Sequence, residues 1–99
     1  TKPVSDGLRI DEERRLATWQ GRHLDLTPYQ FRLLSILAAE PGRVFSRSRL
    51  LDLIWDDPTA TVDRGVDHLV KGLRARFRDL DPDCDPIRTH RGDGYALDL

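Results

Sequence analysis

A single cysteine, Cys84, cannot close an internal disulfide, and one thiolate falls short of the roughly four ligands that hold a zinc ion. The three histidines, His23, His68 and His90, sit on different segments without metal spacing, so neither a metal nor another cofactor is expected. Long apolar runs are missing as well. Charges interrupt every apolar stretch after a few residues, and no segment reads as a membrane span. Charge of one sign is also absent: 16 Lys+Arg against 17 Asp+Glu give a net charge of −1, so any electrostatic argument has to be local. The chain opens on Thr1 rather than Met, with no basic-then-apolar leader behind it, and is read as a piece of a longer protein in a reducing, cytoplasmic setting. No histidine or glycine-rich elbow flanks Ser46 or Ser48, which are better cap and helix-surface residues than nucleophiles, and no enzymatic role is expected.

What is present is enough for one folded domain. The chain has 99 residues, 38% hydrophobic and 33% charged, which is too apolar for a disordered tail and too short for two domains. Residues 1–7, with Pro3, Ser5 and Gly7, read as a linker remnant, and 8–99 as the domain. Within 8–26, three short pieces alternate like strands: Leu8 and Ile10, then Leu16 and Trp19, then Leu24 and Leu26, with Gln20-Gly21 as a hairpin turn.

Residues 27–85 read as three helices. Thr27-Pro28-Tyr29-Gln30 is a capping box with proline at the first helical position, leading into Phe31, Leu34, Ile36, Leu37 and Ala38 and ending at Glu40-Pro41-Gly42. Arg43-Val44-Phe45 is extended. Ser46 caps a second helix whose apolar side is Leu50, Leu51, Leu53, Ile54 and Trp55, stopped by Asp56-Asp57-Pro58. In the third helix Val66, Leu69, Val70, Leu73, Phe77 and Leu80 follow steps of three and four, a single stripe at the helical period. The wheel places Arg64, His68, Lys71, Ala75 and Arg78 opposite. Over residues 62–78 five Lys/Arg face two Asp, while the next turn carries Asp79, Asp81, Asp83 and Asp85, which hides the basic helix in the global sum. Gly72 lies off the apolar stripe, where nothing in the pattern asks for a missing side chain; Gly72→Arg is expected to stabilise the helix.

Residues 86–99 read as a hairpin, with Arg91-Gly92-Asp93-Gly94 as its turn and Tyr95, Leu97 and Leu99 alternating. The Arg-Gly-Asp tripeptide here is read as turn chemistry. A short sheet, three helices with a basic third, and a hairpin tipped by arginine are together the parts of an α+β winged helix-turn-helix, whose third helix enters a major groove.

Leu26-Thr27-Pro28, Phe31-Arg32-Leu33-Leu34, Pro41-Gly42-Arg43-Val44-Phe45-Ser46-Arg47, Leu50-Leu51, Trp55, Val66-Asp67, Leu73-Arg74 and the run from Ile87 through Arg91 to Tyr95 resemble the DNA-binding effector domain of OmpR/PhoB-type response regulators. No single piece is diagnostic, but the match keeps its order from about Leu8 to the end of the chain.

The resemblance implies phosphate contacts by Arg47, Trp55, Arg64 and Arg74, a minor-groove contact by Arg91, and places for Thr89 and Tyr95 near the DNA backbone. The chain departs from the family pattern at Gly65, His68, Leu69 and Gly72, so two usual base-reading positions carry no side chain. From the residues themselves, the basic face is either a solvated face or a DNA contact, with Lys71 on a phosphate; His68 is a guanine donor or merely exposed; Trp55 is core first and a phosphate donor second. The reading adopted is sequence-specific binding of duplex promoter half-sites as the output domain of a two-component regulator. Its partners would be RNA polymerase, a second copy on DNA and a receiver domain, with no membrane involved. The alternative is a protein-interaction module on the same fold.

Overall fold

The computed structural model describes residues 2–3, 7–54 and 65–98. Four strands open the chain: β1 (Lys2–Pro3), β2 (Leu8–Asp11), β3 (Leu16–Trp19) and β4 (Arg22–Leu24), antiparallel and in sequential order. Lys2 and Pro3 pair with Ile10 and Arg9, so the first residues are not simply linker: they form the edge of the sheet. A two-residue edge strand has no periodicity to detect, and proline is tolerated there because an edge leaves one side of the strand unpaired.

Gln20 and Gly21 join β3 to β4 with φ of 50° and 80°, the double left-handed conformation whose twist matches a two-residue hairpin. Ala17 and Trp19 are buried, whereas Leu16, which the sequence pattern groups with Trp19, is 40% exposed. Alternation has a period of two, so Leu16 and Trp19 fall on opposite faces.

Helix α1 (Pro28–Ala39) begins as its sequence dictates. The Thr27 hydroxyl accepts from the Gln30 amide at 3.2 Å, and the Gln30 side-chain oxygen accepts from the Thr27 amide at 3.0 Å. Helix α2 (Arg47–Ile54) is capped by Ser46, whose hydroxyl accepts from the Arg49 amide at 3.1 Å. Trp55, and the stop at Asp56-Asp57-Pro58, lie outside the described residues. Helix α3 (Gly65–Leu80) buries Val66, Leu69, Val70, Leu73 and Phe77, the stripe its spacing predicts.

These faces meet in one core. Leu8, Trp19 and Leu24 from the sheet, Leu33, Leu34 and Leu37 from α1, Leu50 and Ile54 from α2, and the α3 stripe are all buried. Trp19 meets Phe77 edge to face, with ring centroids 5.5 Å apart. Phe77 is fully buried, and emptying such a site costs about 3–5 kcal/mol. The Arg22 guanidinium reaches across to the carbonyl of Leu80 at 3.3 Å, so the sheet also covers the end of α3.

The chain closes with β5 (Ile87–His90) and β6 (Gly94–Leu97), a hairpin joined by the turn at Arg91, Gly92 and Asp93. Phe45 pairs with the free edge of β6 through reciprocal bonds with Tyr95, at 2.8 and 2.9 Å. β6 is buried along its whole length rather than alternating, with β5 paired along one edge and Phe45 bridging to Tyr95 on the other.

Candidate nucleic-acid interface

The start of α2, the exposed side of α3 and the hairpin are brought together by one cluster. Arg47, the first residue of α2, donates from Nε to Oδ1 of Asp67 at 2.8 Å. The Tyr95 hydroxyl donates to that same oxygen. Arg47 also lies over the Tyr95 ring, its guanidinium carbon 5.3 Å from the centroid, with one Nη 3.5 Å from the Tyr95 oxygen. Three elements thus converge on one carboxylate oxygen.

The electrostatics follow from that geometry. The Tyr95 hydroxyl, and then Arg47, hold the Asp67 carboxyl below the usual carboxylate range. Hydrogen bonding to Asp67 raises the Arg47 guanidinium further, so it is a permanent cation. Burial first, then the hydrogen bond to Asp67 and its charge, push the Tyr95 phenol up, which keeps its proton in place as a donor.

Arg74 engages the hairpin instead of solvent. One Nη donates to the Ile87 carbonyl at 2.8 Å and to the Thr89 hydroxyl at 2.7 Å. Its Nε lies 3.4 Å from Asp85 without a hydrogen bond, and its guanidinium carbon is 6.0 Å from the Tyr95 ring centre. The side chain is only 24% exposed. Arg74, expected at a phosphate, here links α3 to β5, with the Ile87 carbonyl and the Thr89 hydroxyl as its acceptors. Tyr95 is likewise buried, with its hydroxyl turned to Asp67 rather than to the surface.

His68, Lys71, Ala75 and Arg78 are exposed in a row along α3, where the helical wheel places them. Arg91 is exposed at the hairpin tip. Arg64 and Trp55 fall outside the described residues. Gly72 does not belong to the open row. A β-carbon there would stand 2.6 Å from Nε2 of Gln30, so the position faces the start of α1. Asp67, which ties Arg47 and Tyr95 together on this face, carried no functional signal in the sequence, where an acid reads as helix surface.

Among the described residues no group of three or more His, Cys, Asp or Glu is placed to hold a metal ion, and no helix is long and apolar enough to cross a membrane. The face offers His68, Lys71 and Arg78 along α3, Arg47 over the Tyr95 ring and Arg91 on the hairpin turn.

Comparison with known proteins gives a consistent picture. Residues 21–97 match the family described as "Transcriptional regulatory protein, C terminal". The chain is 47% identical over 90 residues to the transcriptional regulatory protein CreB of Escherichia coli K12, covering 91% of this chain and 39% of CreB. It is 48% identical over 88 residues to BaeR of Escherichia coli O6:H1, covering 89% of this chain and 37% of BaeR. The chain thus spans about two fifths of the length of these relatives. Among solved structures, the Klebsiella pneumoniae RstA DNA-binding domain in complex with the RstA box superposes with a TM-score of 0.78 at 28% identity, covering 93% of this chain and 91% of that one.

Proposed function

The chain belongs to the family of transcriptional regulatory protein C-terminal domains, the DNA-binding effector domains of OmpR/PhoB-type response regulators, and from that premise we propose that it binds duplex DNA as the output half of a bacterial two-component regulator. One observation carries the reading. The exposed row of His68, Lys71 and Arg78 lies on the same helix that Asp67 and Arg74 tie to α2 and to the hairpin, which supports a helix and a wing that meet DNA together.

In this reading α3 enters the major groove with His68 toward base edges, Arg47 and Lys71 hold phosphates, and Arg91 enters the flanking minor groove. Arg64 and Trp55 are proposed as further phosphate donors on the resemblance of the sequence. Arg74, with Thr89 and Tyr95, keeps the wing in register with α3. The role is binding rather than catalysis. The regulators to which the chain is similar are more than twice its length, which supports a receiver domain in the complete protein. Cytoplasmic residence, RNA polymerase as a partner and a second copy on an adjacent half-site about one helical turn away belong to the same proposal.

Titration of a mixed-sequence duplex across a salt series tests it. With four or five phosphates neutralised, log affinity should fall against log salt with a slope near about −4. A slope near zero, or no binding at low salt, would remove the DNA reading.

A further inference from the structure

Asp67 puts a carboxylate on the surface that otherwise presents Arg47, His68 and Lys71, with its side chain 57% exposed. Counted as bare charge, it opposes a polyanion. Its geometry says otherwise. Oδ1 takes the Nε proton of Arg47 at 2.8 Å and also the Tyr95 hydroxyl, while the guanidinium lies 5.3 Å above the Tyr95 ring centre and one Nη sits 3.5 Å from the Tyr95 oxygen. Arg47 is therefore held at its Nε, over the Tyr95 ring and on one Nη. Among the described residues nothing else accepts from it, and its side chain remains 48% exposed.

A free arginine on a surface samples many rotamers, and ordering it on binding costs much of what its contacts contribute. One already pinned at Nε presents its outer N–H groups in a fixed fork, the shape that matches two oxygens of a phosphate. We propose that Asp67 is a positioning residue for DNA binding: it holds Arg47 over the Tyr95 ring so that the outer edge of the guanidinium meets a backbone phosphate already oriented. The proposal rests on the DNA-binding reading above. It also gives the wing a second task, because the ring that supports Arg47 is supplied by β6.

Bare charge and positioning predict opposite signs. Removing a negative charge from a DNA-facing surface should tighten binding to every duplex and steepen the salt dependence. Removing a positioning group should weaken binding and make the dependence shallower, because Arg47 no longer delivers its contact. The experiment is a titration of a mixed-sequence duplex at several salt concentrations with the wild type, Asp67→Ala, Asp67→Asn, Asp67→Glu, Arg47→Ala and the Asp67→Ala/Arg47→Ala double variant, with a thermal melt of each.

The expected result is a loss of about tenfold for Asp67→Ala at low salt, with the slope shallower by about one. Asp67→Asn, which keeps an acceptor oxygen in place, should bind at least as well as the wild type. The double variant should be no weaker than Arg47→Ala alone. Tighter binding by Asp67→Ala, or losses that add in the double variant, would overturn the proposal. Should Asp67→Ala fail to melt cooperatively, Asp67→Glu decides, since it keeps the charge but displaces the carboxylate by a methylene: weaker binding supports positioning, and wild-type binding overturns it. A wild type that binds no duplex would overturn the DNA reading itself, whereas a wild type that binds while Asp67→Ala and Asp67→Glu match it would overturn only this inference.

Discussion

The backbone of Gly72 on α3 rests against the side-chain amide of Gln30 on α1, so closely that a β-carbon at Gly72 would stand 2.6 Å from Nε2. Gln30 is not free to retreat without loss, because its other amide atom, Oε1, completes the α1 capping box. Glycine within a helix costs about 1 kcal/mol relative to alanine, and disturbing a cap costs about as much. Gly72→Ala should therefore be nearly neutral in the wild type, and stabilising by about 1 kcal/mol once Gln30→Ala has cleared the space. Chemical denaturation of the two single variants and the double variant measures this; additive effects would show that the two residues are uncoupled. The stabilisation that the helix pattern alone predicts for Gly72→Arg should not appear, since its side chain would have to leave through the Gln30 amide.

Gly94 is under a harder constraint. Its φ is +134°, and a β-carbon there would lie 1.9 Å from the carbonyl oxygen of Phe45, which is backbone and cannot turn aside. Gly94→Ala should part β6 from Phe45, break the reciprocal bonds between Phe45 and Tyr95, and cost about 3 kcal/mol or more. A melting temperature lower by more than about 10 °C is the expected reading by circular dichroism.

Arg74 separates bracing from phosphate binding. Arg74→Ala loses two charge-assisted bonds, to Ile87 and to Thr89, and should destabilise the domain by about 2 kcal/mol. Arg74→Lys should fall between the two. A thermal melt that leaves Arg74→Ala unchanged while its DNA affinity drops would return this residue to the surface role that sequence resemblance assigns it.

His68, Lys71 and Arg91 should differ in kind. Lys71→Ala should weaken all duplexes alike by about tenfold at low salt and take about one from the salt slope. His68→Ala should change the preferred base at one or two positions, and Arg91→Ala should cost most where flanking DNA is A·T-rich and its minor groove narrow. Sequencing DNA selected from a random pool by each variant distinguishes these outcomes. An unchanged consensus for His68→Ala would leave that residue as helix surface.

Cys84 should be chemically quiet. Burial first, then the charges of Asp81 and Asp85, push its thiol from 9.0 up to about 11. Only the thiolate reacts, so alkylation at pH 8 should run about a hundredfold slower in the folded chain than in denaturant. The folded state disfavours the thiolate, so the stability linked to Cys84 is complete below pH 9.0 and is lost as the pH rises toward about 11. Relative to Cys84→Ala, the wild type should lose stability over that window, as read by denaturation at pH 8 and pH 10.

The parts of this protein that its sequence determined alone are those whose partners lie within a few residues. The Thr27 to Gln30 capping box, the Ser46 cap, the left-handed Gln20-Gly21 turn and the apolar stripe of α3 are each encoded in spacing, because a helix or a hairpin brings near neighbours together whatever surrounds it. Spacing also placed His68, Lys71 and Arg78 on the open side of α3 and Arg91 at the hairpin tip.

Only the tertiary structure decided what the remaining side chains do there. Arg47 and Asp67 are 20 residues apart, Arg74 and Thr89 are 15 apart, and nothing in either local pattern tells an arginine bound to solvent from one bound to another element. Gly72 looked like a defect in a helix until α1 was laid against it, and Lys2–Pro3 looked like linker until β2 offered an edge. Phe45 pairs with an edge of β6 from more than 40 residues away, which the alternation expected of Tyr95, Leu97 and Leu99 does not reveal. In every one of these cases the decisive contact joins segments whose separation along the chain carries no periodic signature. Core packing sets their distance, and the polar groups then pair according to what that distance allows.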